Sequence, residues 1–252
     1  MASLHTIVET LDKLLRTSEI ADYSGAMNGL QLENRSNTVS KVASAVDASL
    51  PVIKKAIAAG ADLLIVHHGL FWHGTQNLTG PTFQKFNAAI EANLAIYSSH
   101  LPLDIHPEHG NNALLAEALG LKDQSEFGDF KGNPIGIKGH LSESLDTLLK
   151  KLEGILQNQV HHCPGRGQDL GTVGIVTGGA GSQIQDFKDL GIDTLVTGEG
   201  PHWSYPLAEE LEKNLIYAGH YATETFGVRS LGRFLVERFS LNHEFVDHPT
   251  GL

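Results

Sequence analysis

Two stretches of this chain match each other: Ala59-Gly60-Ala61-Asp62-Leu63-Leu64-Ile65-Val66-His67-His68-Gly69 and Leu190-Gly191-Ile192-Asp193-Thr194-Leu195-Val196-Thr197-Gly198-Glu199-Gly200. The match belongs to a longer alignment without gaps, in which Lys41–Gly69 lies over Thr172–Gly200. In each copy a glycine that can end a helix is followed by a short apolar run, which is typical of a helix leading into a buried strand. The repeat therefore predicts an α/β fold with an internal duplication.

A second match extends the duplication. Asn93–His100 resembles Asn214–His220, both of which begin with Asn-Leu and end in histidine. Three polar or aromatic pairs align in this register: Tyr97 with Tyr217, His100 with His220, and Asp104 with Glu224. Two copies are too few for a solenoid. We expect two related three-layer α/β lobes with a functional site in the cleft between them, where the carboxyl ends of the strands lie.

The boundary between the lobes is expected in residues 122–133, a polar, glycine-containing segment that we interpret as a loop. The first lobe is then residues 1–123 and the second is residues 124–252, whose C-terminal part, from about 213 onward, is available to pack against the first lobe. Hydrophobic periodicity predicts helices over residues 3–16, 50–60, 81–92, 111–119 and 142–154. It predicts strands over residues 41–47, 61–66, 94–98, 134–141 and 155–162.

Composition limits the class of protein and the kind of site. The formal net charge of -11 argues against a general nucleic-acid or anionic-membrane surface. No apolar run approaches the length of a membrane helix, and residues 1–16 have a helical rather than a signal-peptide pattern, so we expect a cytoplasmic protein. The single cysteine, Cys163, excludes an internal disulfide and a thiolate zinc cage, whereas the 14 histidines favour nitrogen and oxygen ligands.

The repeated strands end in side chains that suit a metal. They are His67, His68, His100 and Asp104 in the first lobe, and Glu199, His220 and Glu224 in the second. Imidazoles and carboxylates are the ligands of hydrolytic metal sites. Adjacent histidines chelate one ion poorly, so His67 and His68 are better placed to bind one ion each of a close pair. If a helix begins near residue 220, His220 and Glu224 share a face, and Glu224 is able to bridge the two ions.

Non-functional interpretations of these residues compete with the metal-site interpretation. The two adjacent histidines are also compatible with an ordinary loop in a histidine-rich chain. His73, His106 and His109 flank the same loops and are alternative ligands, whereas His161-His162-Cys163 lies at a turn outside the repeated strand ends and is interpreted as structural. The glycine-rich segment 178–181 is a weak phosphate-binding signal. Phe71 and Trp72 are expected to form a hydrophobic lip of the cleft, and a platform that stacks on a purine base is the alternative.

At these residues the sequence resembles a known family, the dinuclear-metal-centre proteins named GTP cyclohydrolase 1 type 2 homologues, which are related to a yeast Ngg-interacting factor. The resemblance covers nearly the whole chain. It is carried by these stretches: Asn28–Gln31, Gly60–Asp62, Val66–His73, His100–Asp104, Asn111-Asn112, Thr177–Gly179, Thr197–Glu199 and Gly219–Glu224. The sequence is similar to the shorter bacterial form, which lacks a large inserted middle domain.

The resemblance implies a two-lobed fold, a homohexameric ring and two divalent metal ions per subunit. Nitrogen and oxygen ligands permit Zn, Fe, Mn, Co or Ni. The family's ligand positions map onto His67, His68, Asp104, His220 and Glu224, with Glu224 bridging. The implied reaction is hydrolytic opening of the imidazole ring of GTP by a metal-bound hydroxide. His100 and Glu199 are our candidates for the acid–base groups of that reaction.

Two functions from different classes follow. The first is a metal-dependent hydrolase acting on a nucleotide or a similar small polar substrate. The second is a non-enzymatic ring that binds or delivers metal, or regulates, through protein partners. A third, weaker possibility is a ring that encircles DNA, which the acidic balance of the chain opposes.

Overall fold

The structure, a computed structural model, describes residues 1–74 and 76–252 and has a mixed α/β architecture. Its strands are β1 (Ala2–Ser3), β2 (Gly29–Leu32), β3 (Thr38–Val39), β4 (Lys41–Asp47), β5 (Leu63–His68), β6 (Ala95–Ser98), β7 (Lys122–Phe127), β8 (Gly136–His140), β9 (His161–Pro164), β10 (Thr172–Ile175), β11 (Thr194–Thr197), β12 (Asn214–Tyr217) and β13 (Asn242–Phe245). Its helices are α1 (Leu4–Leu15), α2 (Leu50–Ala58), α3 (Gly80–Glu91), α4 (Leu101–Asp104), α5 (Asn111–Leu119), α6 (Leu145–Leu156), α7 (Ile184–Lys188), α8 (Ser204–Glu210), α9 (His220–Thr223) and α10 (Thr225–Phe239). None of the helices in this part of the chain combines the length and apolarity needed to cross a membrane.

The described residues form two compact units. Unit 1 consists of Met1–Leu103 and Gly227–His248, and unit 2 consists of Asp104–Phe226 and Pro249–Leu252. The chain thus leaves unit 1 after residue 103, whereas the sequence placed the boundary after residue 123. The reason is helix α5, whose fully buried leucines and alanine pack in one hydrophobic cluster with strands of unit 2.

Unit 1 is built on a five-stranded sheet with the order β13-β4-β5-β6-β2. Strands β13, β4, β5 and β6 run parallel, and β2 is antiparallel to β6. The predicted amphipathic helix over residues 3–16 is confirmed as α1, which buries Leu4, Ile7, Leu11 and Leu15 in a cluster that includes side chains of β5. A second cluster contains the alternate side chains of β5, so the strand is buried on both faces.

Unit 2 is built on a six-stranded sheet with the order β7-β8-β10-β11-β12-β9. Its central strands β10, β11 and β12 are parallel, and β8 and β9 pair with them in the antiparallel direction. The two units pair their equivalent strands in the same register. Val42 lies opposite Leu63 in unit 1, and their repeat partners Val173 and Thr194 lie opposite each other in unit 2.

Two segments differ from the sequence prediction. Residues 122–127 of the predicted loop form strand β7, an edge strand in which five of six residues are exposed, so that no hydrophobic alternation marks it. The strand predicted over 155–162 was also wrong in its bounds. Helix α6 continues to Leu156, because Ile155 and Leu156 are partly buried and continue the helical spacing of its buried leucines, and β9 begins only at His161.

Strand β5 is longer than predicted, and this difference positions the site. The sequence ended the strand at Val66, whereas the structure continues it through His67 and His68. The extension follows from β4, where Asp47 is the ladder partner of His68. Both histidines are therefore held by the sheet rather than by a loop.

Candidate metal centre

Unit 1 presents two adjacent histidines at the carboxyl end of β5. His67 is fully buried, and its Nδ1 lies 2.9 Å from the carbonyl oxygen of Ser99. His68 is largely buried, and its Nδ1 lies 2.9 Å from Oδ1 of Asp47. The two ring centroids are 4.8 Å apart with an angle of 56° between the planes. The two imidazoles therefore lie close together at the end of β5 without stacking face to face.

A third histidine of unit 1 joins this pair. His100 follows β6, and its Nδ1 lies 2.9 Å and 3.1 Å from the two carboxylate oxygens of Asp22. Asn28 connects the same groups, because its Oδ1 accepts from the backbone N–H of His100 at 2.7 Å and its Nδ2 donates to Asp22 at 2.8 Å. One ligand atom from each of His67, His68 and His100 lies within 4.8 Å of the others.

The hydrogen bonds of Nδ1 indicate the tautomer of each histidine. A carbonyl oxygen only accepts, so Nδ1 of His67 is the donor and its Nε2 carries the lone pair. The carboxylates of Asp47 and Asp22 hold His68 and His100 in the same tautomer. A metal-binding histidine commonly donates its second N–H to a carboxylate or a carbonyl in this way. All three side chains therefore fit a metal-ligand role through Nε2.

Asp22 is strongly perturbed by this network. Burial raises the pKa of its carboxyl group, but the hydrogen bond and the charge of His100, with hydrogen bonds from Asn28 and Tyr23, outweigh that effect and lower the pKa to about 2. The backbone N–H of Leu101 also donates to Asp22, at 2.9 Å. The carboxylate thus ties the segment before β2 to the end of β6.

Replacing Asp22 with asparagine is expected to lower the free energy of unfolding of the metal-free protein by about 2 kcal/mol at neutral pH. Because the folded-state pKa lies below the ordinary value of 3.8, the carboxylate stabilises the fold above that value, and its contribution disappears as the pH falls towards 2. Urea unfolding at a series of pH values should show the wild-type and variant stabilities converging in acid. Asp189→Asn, at an exposed position, is the control. A pH-independent difference for Asp22→Asn would contradict this assignment.

Unit 2 places a histidine and two carboxylates together. His220 begins helix α9, and its Nδ1 lies 2.8 Å from Oε1 of Glu199, which follows β11. Its Nε2 lies 3.1 Å from Oε1 of Glu224, whose side chain is 3% exposed. Burial lowers the pKa of His220, but hydrogen bonds and charge from Glu224 and Glu199 outweigh that effect and raise it to about 9. The two carboxylates beside the ring of His220 make this position attractive to a cation.

Glycine makes room for the carboxylate of Glu224. Gly178 has a φ of +73°, and a Cβ added there would lie 2.3 Å from Oε1 of Glu224. The backbone N–H of Gly178 donates to Oγ1 of Thr223, and its carbonyl accepts from the N–H of Gly198 and of Glu199. The segment interpreted from sequence as a weak phosphate-binding signal therefore borders Glu224, where it leaves the space that the side chain occupies.

Asp104 is held by a separate set of polar residues in unit 2. Its Oδ1 accepts hydrogen bonds from Nδ2 of Asn111 at 2.8 Å and from Oγ1 of Thr177 at 3.3 Å. Asn112 orients Thr177 by accepting from its backbone N–H at 2.9 Å. Asp104 is 8% exposed, so its carboxylate is oriented before any ligand arrives.

Within each unit, the structure brings predicted site residues together. Unit 1 groups His67, His68 and His100, and unit 2 groups Glu199, His220 and Glu224. The alternative histidines have other surroundings. His73, His161 and His162 are exposed, and Nδ1 of His106 accepts the backbone N–H of His109.

Sequence reasoning assigned no role to the side chains that orient these groups, although three of them lie in stretches that carry the family resemblance. They are Asp22, Asp47, Asn111, Asn112 and Thr177. One of them carried a usable signal. Asp47 ends the parallel strand next to β5, so the strand-end argument that selected His68 applies to it equally. The others act across the fold from loops and helices, and their spacing in the sequence does not reveal their partners.

Comparison with known proteins connects this arrangement to a family. The sequence profile of Duf34/NIF3 (NGG1p interacting factor 3) matches residues 2–250. The chain belongs to the Duf34/NIF3 family. Among Duf34/NIF3 relatives, the GTP cyclohydrolase 1 type 2 homolog of Deinococcus radiodurans is 39% identical over 251 residues, covering 98% of this chain and 93% of that protein. The homolog of the same name from Pyrococcus abyssi is 39% identical, with 98% of each chain covered.

Solved structures of other proteins share the fold of this Duf34/NIF3 chain. The protein ybgI, described as of unknown function, has a TM-score of 0.88 and 32% identity, and the match covers all of both chains. A protein of Thermus thermophilus has a TM-score of 0.86 and 36% identity, again over the full length of both. The α/β fold expected from the repeat and from the family resemblance is thereby confirmed.

Proposed function

We propose that this Duf34/NIF3 protein is a dinuclear metal-dependent hydrolase that acts on a nucleotide or a similar small polar substrate. The observation that carries the proposal is the common orientation of three histidines of unit 1. In His67, His68 and His100 alike, Nδ1 is hydrogen-bonded to an acceptor, which orients Nε2 for a metal ion or for proton transfer. His220 is held at both ring nitrogens by carboxylates, Glu199 at Nδ1 and the proposed ligand Glu224 at Nε2. Imidazoles whose Nδ1 is held by a carbonyl or a carboxylate are typical of metal sites.

The proposed ligands of the two divalent ions are His67, His68, Asp104, His220 and Glu224. In this proposal His67 and His68 bind one ion each, and Glu224 bridges them. The donor set of imidazole nitrogens and carboxylate oxygens suits Zn, Fe, Mn, Co or Ni. The buried carboxylates of Asp104 and Glu224 balance the charge of such ions, and the space at Gly178 is the second feature that fits.

When bound, the ions supply Lewis acidity and activate water near neutral pH. The protein residues orient the site and move protons. Asp47 and the carbonyl of Ser99 hold the imidazoles of His68 and His67. His100, held by Asp22, and Glu199 are proposed as the acid–base groups. Glu199 has a second task, since its contact with Nδ1 of His220 positions that ring.

The acidic chain constrains how a substrate is attracted. The formal net charge of -11 repels a phosphorylated substrate at long range, so the metal ions provide the local attraction. We also propose that the protein acts in the cytoplasm as a homohexamer. Native mass spectrometry tests the assembly, and a stable monomer would contradict it.

A second function is suggested by the description of the matched family, which names an NGG1p interacting factor. It is a non-enzymatic ring that binds or delivers metal, or regulates, through protein partners. This alternative requires ions that exchange readily, whereas a hydrolase retains its pair through turnover. Metal exchange against a chelator therefore separates the two functions.

The test of the proposed function combines metal analysis with a reaction screen. Purified protein is loaded with each candidate ion, its metal content is measured, and hydrolysis is followed over a panel of nucleotides and phosphoesters. We expect two ions per chain and turnover of at least one substrate. Glu199→Gln should retain both ions within about ten-fold in affinity and lose most of the turnover. Fully metallated protein that hydrolyses nothing in the panel would overturn the hydrolase and leave the metal-binding alternative.

A further inference from the structure

Two aromatic side chains of unit 1 lie at the surface beside the histidines. The ring centroids of Tyr23 and Trp72 are 6.3 Å apart, with an edge-to-face angle of 68° between the planes. Tyr23 is 51% exposed and Trp72 is partly exposed. Large aromatic rings usually bury their area, so a pair that remains at the surface indicates a contact surface for something else. We call these two residues the aromatic wall.

The aromatic wall borders the proposed metal ligand and the proposed acid–base group. The centroid of Trp72 is 4.8 Å from that of His68 and 4.6 Å from that of His100. The centroid of Tyr23 is 5.9 Å from that of His100. A group resting against the wall is thus adjacent to the place where chemistry is proposed.

Backbone contacts hold the aromatic wall in place. A Cβ added to Gly25 would lie 2.4 Å from the carbonyl oxygen of Trp72, so the two segments touch through their main chains. The backbone N–H of Tyr23 donates to Oδ1 of Asp22 at 2.7 Å, and Asp22 is itself bound to His100. The wall is therefore oriented before a ligand binds, which reduces the entropic cost of recognition.

The internal repeat supplies a comparison. The chain has two tryptophans, and Trp203 stands three residues after Gly200 just as Trp72 stands three residues after Gly69. Trp203 is 51% exposed and precedes helix α8 in unit 2. The two positions are equivalent in the repeat, but Trp72 is packed beside histidines of unit 1. Trp203 is therefore an internal control for measurements on Trp72.

We propose that the aromatic wall stacks a planar heteroaromatic ring of the substrate next to His68 and His100. This inference rests on the proposed function and narrows its substrate class. Stacking does not depend on which base is bound, since every base presents a π-face. It also suits an acidic protein, because a neutral ring is not repelled by the net charge, whereas a phosphate is attracted only at the metal ions.

Tryptophan fluorescence tests this inference with a readout other than activity. Trp203→Phe leaves Trp72 as the only tryptophan, and Trp72→Phe leaves Trp203. The probes are guanosine 5′-monophosphate and ribose 5-phosphate, which lacks the ring, added to metal-loaded protein. We expect the nucleotide to quench Trp72 saturably and to leave Trp203 unchanged, and ribose 5-phosphate to quench neither. Quenching of Trp203 in place of Trp72, or of neither, would overturn the inference.

Binding of the nucleotide by equilibrium dialysis completes the test. Trp72→Leu and Tyr23→Ala should each weaken binding about ten-fold, and Trp72→Phe should restore it, because stacking needs an aromatic ring. Circular dichroism and metal content, measured on the same samples, check that each variant folds. If Trp72→Leu binds the nucleotide as tightly as the parent while both ions and hydrolysis remain, the stacking role of the aromatic wall is wrong and the proposed function is retained. If no metal binds but Trp72 is still quenched, the proposed function is wrong and the stacking role is retained.

Discussion

Replacing Glu224 with alanine is expected to lower the affinity for both metal ions by at least about a hundred-fold. Glu224 is the proposed bridging ligand, so its loss removes one bond to each ion. Because its side chain is only 3% exposed, a side chain from the protein surface is not expected to take its place. Metal content after dialysis against a weak chelator measures the effect. Turnover should fall with metal content.

The matched control for Glu224→Ala is Glu210→Ala at the exposed end of helix α8, which removes the same charge at a distance from the metal-ligand candidates of unit 2. It should retain both ions. Glu224→Ala protein that still carries two ions per chain, with a native circular dichroism spectrum, would show that Glu224 is not a metal ligand. Retention of a single ion would show that it binds one ion and does not bridge.

Replacing Gly178 with alanine is expected to weaken metal binding by about ten- to a hundred-fold, although the side chain adds a single methyl group. The added Cβ would lie 2.3 Å from Oε1 of Glu224, so the carboxylate must move. Because Gly178 has a positive φ, alanine there is also expected to lower the free energy of unfolding by about 1 kcal/mol. Metal affinity and urea unfolding separate the two effects.

Gly191→Ala is the control for this substitution. Gly191 has nearly the same φ, +71°, but an added Cβ would have no heavy atom within 4 Å. The two variants should therefore lose similar stability from backbone strain, and only Gly178→Ala should lose metal affinity. Equal metal affinity in both variants would contradict the role assigned to Gly178.

Much of the fold was predictable because it depends on local patterns. Helix α1 and strand β4 follow directly from the spacing of their buried residues. The duplication was visible in the alignment of Val42 with Val173, and the sheets pair these residues in the same register. Strand β7 escaped prediction because it is an exposed edge strand in which Phe127 is the one apolar residue, so no apolar alternation reveals it.

Sequence alone predicted only those residues of the candidate site that lie at the ends of the repeated strands. His68 and Glu199 stand at equivalent positions of the repeat, and both lie among the polar residues that the structure groups together. Another equivalent pair, Asp47 and Gly178, shows the limit of this reasoning. Asp47 orients His68 with its carboxylate, whereas Gly178 leaves space for Glu224. The same repeat position therefore requires a polar side chain in one copy and no side chain in the other.

The sequence by itself determined the α/β class, the repeated unit and the residue types at the strand ends, because periodicity and composition are properties of neighbouring residues along the chain. Only the tertiary structure decided where the compact units divide and which acceptor holds each Nδ1. Asp22 reaches His100 across 78 positions, and Asp47 reaches His68 across 21. Contacts of this kind depend on how strands and loops pack, since a hydrogen bond requires two atoms within about 3 Å whatever their separation in sequence.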